Sequence, residues 1–170
     1  MITDTSYDRG SPAKLMNYLR RDEGRDRDLR DHCGRELDGD DREQFREHAA
    51  ENGMHRHYSI NPDPDLDWSD GDLDRGVRAT MTEFRTDRPS VEYCYAVHDG
   101  EDRPHAHVLM TGDIGDLYMD TQDLKTFENT AERTMDESLK RDAADRTREA
   151  AQVLDASFDR TRDRSRGRSR

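Results

Sequence analysis

Lysine is almost missing from this chain. Among 170 residues it occurs only as Lys14, Lys125 and Lys140, so nearly every basic residue is arginine. Cysteine is scarce as well. Cys33 and Cys94 are the only two, which excludes a disulfide framework and suits a reducing cytoplasm. No apolar run is long enough to span a bilayer, and the N-terminus lacks the apolar segment of a secretory signal. Hydrophobic residues make up 30% of the chain and charged residues 40%, with a net charge of -12. That balance alone permits a disordered chain. The apolar residues are clustered, however, in strand-like runs at 57–61, 91–97 and 105–110, and in periodic stretches around 13–19, 77–84 and 124–139. The chain is therefore read as a folded domain over 1–150, followed by a tail over 151–170. An acidic, Lys-poor composition fits molar salt, where repulsion among carboxylates is screened within about 3 Å.

Along the chain, Ser11 and Pro12 form a helix start, with Ser as N-cap and Pro in the first turn. The helix is predicted over 12–23, with Leu15, Tyr18 and Leu19 at i, i+3, i+4 spacing. Residues 22–42 are nearly all charged, with Gly24, Gly34 and Gly39 as breakers, and read as a solvated, mobile connection. A polar helix over 41–51 ends at Asn52 and Gly53. His57–Asn61 alternates as a short strand stopped by Pro62. A helix over 73–86, capped by Asp70 or Asp72, carries Leu73, Val77, Met81 and Phe84 on one face. A short strand is expected around 117–119. A long helix starts near Thr121, with Leu124, Phe127, Ala131, Met135 and Leu139 as its apolar stripe. From Asp155 to Arg170 there are three Asp and six Arg, a local charge of +3, and the tail is expected to be disordered.

The residues from Val91 to Met110 carry the most chemistry. They read as a β-hairpin with a loop around 99–104. Side chains alternate along a strand, so Glu92, Cys94, Ala96 and His98 share one face, and His105, His107 and Leu109 share one face of the next strand. His98 then stands across from the start of the second strand, and three imidazoles converge. Neutral imidazoles are metal ligands, and three of them leave coordination positions open for water or substrate. An ion held so can polarise a phosphodiester oxygen. Asp99, Glu101 and Asp102 in the loop are candidates to orient an imidazole.

A metal by itself names no reaction, and the remaining candidates are phenols. Tyr18 sits on the first helix beside an apolar stripe, Tyr118 follows the histidines, and Tyr7 is a third option. A phenol with a pKa near 10 is a poor nucleophile unless a base, metal or cation activates it. Tyr93 and Tyr95 point away from the histidines and read as packing residues. His32, His48 and His55 read as solvated surface. His57 shares a face with Ser59 and Asn61 and reads as a packing residue or as part of a DNA groove.

Three blocks of this sequence resemble the mobilization relaxases of the HUH endonuclease superfamily, over about residues 1–140. The first is Met1 and Ile2, then Arg9 to Pro12, then Lys14 to Arg20 around Tyr18. The second is His57 to Pro62 with the helix after it. The third is His98 and Asp99 through Pro104, His105, Ala106, His107 and Val108. The resemblance implies an α+β fold, a small, mainly antiparallel sheet with helices packed on it. It also implies metal-dependent nicking and strand transfer of single-stranded DNA at an origin of transfer or replication. In that family a tyrosine forms a 5′-phosphotyrosine and frees a 3′-hydroxyl while a divalent ion, Mg²⁺ or Mn²⁺, polarises the phosphate. Carried across, Tyr18 is the nucleophile and His98, His105 and His107 are the ligands. Accessory mobilization proteins are implied as further partners. The acidic balance places such a chain in the cytoplasm of a halophile, or on its plasmid or virus.

An acidic chain that binds DNA must concentrate its cations locally, because phosphate affinity rises with Arg and Lys and falls with salt. Arg20, Arg21, Arg25 and Arg27 beside the Tyr18 helix are the candidates, together with the Arg-rich tail. The alternatives to the nicking reading are a non-catalytic DNA-binding mobilization accessory protein and a replication initiator that uses Tyr118.

Overall fold

The computed structural model describes residues 2–8, 11–22, 25–98 and 104–166; for 2–8, 22, 25, 26, 150 and 153–166 it describes the backbone alone. Four strands form one antiparallel sheet. They are β1 (Ile2–Asp8), β4 (His55–Asn61), β5 (Glu92–His98) and β6 (His105–Thr111), in the order β1-β4-β6-β5. The expected hairpin is β5 and β6, with His98 directly opposite His105 and Ala96 opposite His107. β6 is paired on its other side with β4, where Ser59 faces His107 and His57 faces Leu109.

Helices cover both faces of the sheet. On one face Tyr58, Ile60, Tyr95, Val97, Val108 and Met110 pack against α3 (Asp70–Phe84) and α5 (Thr121–Arg166). The predicted apolar positions Leu73, Val77 and Met81 of α3, and Phe127 and Met135 of α5, point into this core. α3 starts at a reciprocal cap in which the Ser69 hydroxyl accepts from the Asp72 amide and the Asp72 carboxylate accepts from the Ser69 amide. The cap is thus Ser69 rather than Asp70 or Asp72. The other face is the one that carries the histidines. There Cys94, Ala96 and Leu109 pack against Met16 and Leu19 of α1 (Pro12–Leu19), Phe45 and Ala49 of α2 (Gly39–Asn52), and Leu29. Small residues at 94 and 96 let these helices lie close to the strands. The architecture is α+β, as expected.

Several local expectations are corrected. α1 ends at Leu19 instead of near 23, because a short hairpin of β2 (Arg21–Asp22) and β3 (Arg25–Asp26) begins at once. Part of the 22–42 segment is built into the fold and is not a solvated connection. Leu29 is buried, and the Arg30 amide and carbonyl pair with Tyr95 across the outer edge of β5 at 2.7 and 3.0 Å. The Arg30 guanidinium is held by Asp70 and Asp74 at 2.9 Å each. These charges are paired, which composition does not show, and they cover an edge that would otherwise be open to another strand.

The strand expected at 117–119 does not form. Leu117 and Met119 are buried and Tyr118 is exposed, so the alternation is real, but the preceding residues make a single helical turn, α4 (Ile114–Leu117). The carbonyls of Asp116 and Tyr118 accept from the Arg88 guanidinium at 2.6 and 2.8 Å, in place of a neighbouring strand. His55 is buried at the start of β4, opposite Thr111, and is not solvated surface. The tail expected to be disordered from 151 continues α5, whose backbone is helical to Arg166. Residues 121–166 contain neither glycine nor proline, and alanine and arginine are strong helix formers. Among the described residues, no helix is long and apolar enough to cross a membrane.

Candidate metal centre and nucleophile

The period of the hairpin sets the site. His105 and His107, two apart on β6, project from one face, and register brings His98 of β5 onto the same face. The ring centroids form a near-equilateral triangle, 4.6 Å from His98 to His105, 5.1 Å from His98 to His107 and 4.9 Å from His105 to His107. One ligand nitrogen from each lies within 4.8 Å of the others, so the three can hold a metal ion. The residue between the pair, Ala106, turns to the opposite face and is fully buried in the α3–α5 core.

Two of the three rings are oriented by hydrogen bonds. His98 is buried, and its Nε2 lies 2.9 Å from the Leu19 carbonyl. A carbonyl only accepts, so Nε2 carries the proton and Nδ1 carries the lone pair. The Nδ1 of His107 lies 3.0 Å from Nε2 of His57 on β4. A ligand that binds through Nε2 holds its proton on Nδ1, which makes His57 the acceptor and fixes the His107 ring. This orienting role was assigned from sequence to Asp99 and Glu101, which lie outside the described residues. The parity of His57 with Ser59 and Asn61 was readable in the sequence. The β4–β6 pairing that sets His57 beside His107 was not.

Burial, followed by the neighbouring His105, His57 and His98, pushes the His107 pKa down to about 3. The ring therefore stays neutral and able to coordinate well below the ordinary imidazole range. The consequence for stability has a definite sign. Between about pH 6.5 and 3 the unfolded chain binds a proton at this residue and the folded chain does not, so the metal-stripped fold loses stability as pH falls through that window. Denaturant midpoints taken at pH 7.5 and 5 should show a steeper acid loss for the wild type than for His107→Gln. Equal slopes would mean that His107 is not held neutral.

Tyr18 meets this cluster. It is 59% exposed on α1, with its ring centroid 5.9 Å from that of His107 and 6.4 Å from that of His57, edge-on to the latter. Met16 and Leu19 anchor α1 on the sheet, and the His98 bond to the Leu19 carbonyl ties the residue after Tyr18 to the same triangle. The other tyrosines stand elsewhere. Tyr118 lines a cleft with Glu83, Asp87, Asp116 and Asp123 that none of the three histidines touches. Tyr93 and Tyr95 lie on the opposite face. Burial pushes Tyr93 up to about 12, and burial together with the bond to Asp74 raises Tyr95 further. Tyr7 lies in β1 opposite Arg56, and its side chain is outside the described residues.

Of the predicted DNA contacts, Arg20 is half-buried with its Nε donating to the Arg27 carbonyl at 3.3 Å, and Arg21 is exposed. Arg25 lies in β3, its side chain outside the described residues. His32 and His48 are at the surface, as expected, and His48 pairs with Glu92 at 3.0 Å.

No protein-family model matches the chain, and no curated protein matches it.

Proposed function

We propose that this chain is a metal-dependent strand transferase of single-stranded DNA, of the HUH relaxase type, with Tyr18 as nucleophile. The observation that carries the reading is the placement of an exposed phenol against a triangle of three imidazoles, two of them oriented by hydrogen bonds to the Leu19 carbonyl and to His57. In the proposed step the Tyr18 oxygen forms a bond to a backbone phosphorus while the bond from phosphorus to the upstream 3′ oxygen breaks. The phenolic proton leaves, and the departing oxygen ends as a 3′-hydroxyl. One phosphodiester is exchanged for another, so no water or nucleotide is consumed, and a 3′-hydroxyl can reverse the step and rejoin the strand.

His98, His105 and His107 would hold the ion, which when bound supplies charge to polarise a phosphate oxygen. Three nitrogen donors fit a first-row transition ion such as Mn²⁺ better than Mg²⁺, which prefers oxygen. The chain's own part is to turn the His98 and His107 rings, through the Leu19 carbonyl and His57, to keep His107 neutral by burial, and to keep α1 seated beside them. Surface acidity of this kind belongs to a protein working in molar salt, so the test is run there. Wild-type protein is incubated with labelled single-stranded oligonucleotides of varied sequence, Mn²⁺ and molar KCl, and covalent adducts are resolved under denaturing conditions. An adduct sensitive to protease and dependent on the ion is the expected result. Binding without any adduct across the set would favour a non-catalytic accessory protein.

A further inference from the structure

Several arginines among the described residues are neutralised. Arg30, Arg35, Arg75, Arg78, Arg88 and Arg133 each contact a carboxylate. Arg42 does not: the half-buried side chain makes no hydrogen bond or ion pair with any described residue. It lines a groove of about 290 Å³ between α1 and α2, together with Asn17, Arg20, Glu43 and Arg46, over Met16. Three neighbouring acids are engaged by other groups. Glu43 pairs with Arg46, Asp41 with Arg35, and Asp38 caps α2. Arg42 thus stands in the groove with its charge unmatched by any described carboxylate, on a chain whose net charge is -12.

We infer that this groove binds the phosphate backbone of single-stranded DNA, a few nucleotides away from the phosphate presented to Tyr18, with Arg42 as its principal contact. For the substrate class the inference rests on the strand-transfer reading. Its location comes from the helix. Ala13, Asn17 and Arg20 recur at i, i+4, i+7 and form the α1 wall of the groove. Tyr18 follows Asn17 by one residue, about 100° round a helix roughly 10 Å across. A strand crossing the exposed side of α1 therefore reaches the groove on one flank and the histidines on the other. Arginine forks and an asparagine amide hold phosphate and sugar oxygens without reading sequence. Such a contact fixes the register of a strand in salt that weakens diffuse attraction.

The test measures fluorescence anisotropy of labelled single-stranded oligonucleotides of unrelated sequence, with the full chain, in EDTA and across a KCl series. Wild type, Arg42→Ala and Arg42→Glu are compared with Arg133→Ala, a change on the α3–α5 side. Thermal melts confirm that each variant is folded, which Arg42 should permit because it has no partner to lose. Arg42→Ala should weaken binding about 3- to 10-fold on every sequence and lower the salt slope by about 0.7 to 1, with Arg42→Glu weaker still and Arg133→Ala unchanged. In the adduct assay Arg42→Ala should raise the DNA concentration needed while leaving the rate at saturation intact. Equal affinity and slope for wild type and Arg42→Ala overturn the inference, as does a folded wild type that binds no single-stranded DNA. The two readings fail separately. Arg42-dependent binding without adduct removes the strand transfer and supports the groove. Adduct formation indifferent to Arg42 removes the groove and leaves the chemistry.

Discussion

Tyr18→Phe is expected to abolish the covalent complex with single-stranded DNA, lowering adduct formation by at least about three orders of magnitude, while Tyr118→Phe leaves it at the wild-type level. The phenylalanine keeps the ring that lies 5.9 Å from His107 and edge-on to His57, so the site keeps its packing and loses one oxygen. No second described phenol is placed to substitute. Tyr93 and Tyr95 are on the far face of the sheet, and burial holds both protonated. Tyr118 is as exposed as Tyr18, at 61% against 59%, so exposure does not separate them. Their surroundings do. Tyr118 shares its cleft with Glu83, Asp87, Asp116 and Asp123 and a single guanidinium, Arg88, a lining of net negative charge that repels a phosphodiester, whereas Tyr18 stands beside three imidazoles able to hold a cation. Both variants are compared in molar KCl with Mn²⁺, with DNA binding measured alongside. Loss of the adduct in Tyr118→Phe and its survival in Tyr18→Phe would transfer the nucleophile to the acidic cleft and end the present reading.

How much of this was legible in the sequence depends on what each feature needs. The triangle needs only period 2 and a short loop, both local, and so the convergence of His98, His105 and His107 is legible in the sequence. The apolar stripes of α3 and α5 are equally local: Leu73, Val77, Met81, Phe127, Ala131 and Met135 are buried, and Phe84, Leu124 and Leu139 pack half-buried against the core. β1 is different. Its residues alternate between polar and polar, and it is a strand because it pairs with β4 from Ile2 opposite Asn61 to Asp8 opposite His55. Such a partner lies about fifty residues away and leaves no local trace. The 22–42 segment was misread for a related reason. Charge density suggested solvation, but Arg30 is buried in part by paying its charge into Asp70 and Asp74, forty residues on. The nearness of Tyr18 to the histidines is the least local fact of all. It rests on contacts between distant parts of the chain, the packing of Met16 and Leu19 on the sheet and a hydrogen bond between a side chain at 98 and a carbonyl at 19.

That bond gives His98 two jobs, and the second large effect follows from it. His98→Ala and His105→Ala should each weaken Mn²⁺ affinity at least about 100-fold, since each removes a ligand from a set of three. In thermal melts the wild type should gain stability with rising Mn²⁺, by RT ln(1 + [L]/Kd), and both variants should lose that gain. Without metal they should part company. His105 is partly exposed at the start of β6, whereas His98 is buried and satisfies the carbonyl of a fully buried Leu19. Stripping the donor leaves that carbonyl unpaired, a cost of about 1–3 kcal/mol that His105→Ala does not incur. The loss falls on the end of α1, so amide exchange at Met16 to Arg20 should rise in His98→Ala and stay at the wild-type level in His105→Ala. His98→Gln supplies the control, because its amide can still donate to Leu19 and should restore slow exchange at α1 without restoring Mn²⁺ affinity. If apo stability and α1 exchange are the same in all three variants, His98 is a ligand only, and the seating of Tyr18 must come from Met16 and Leu19 alone.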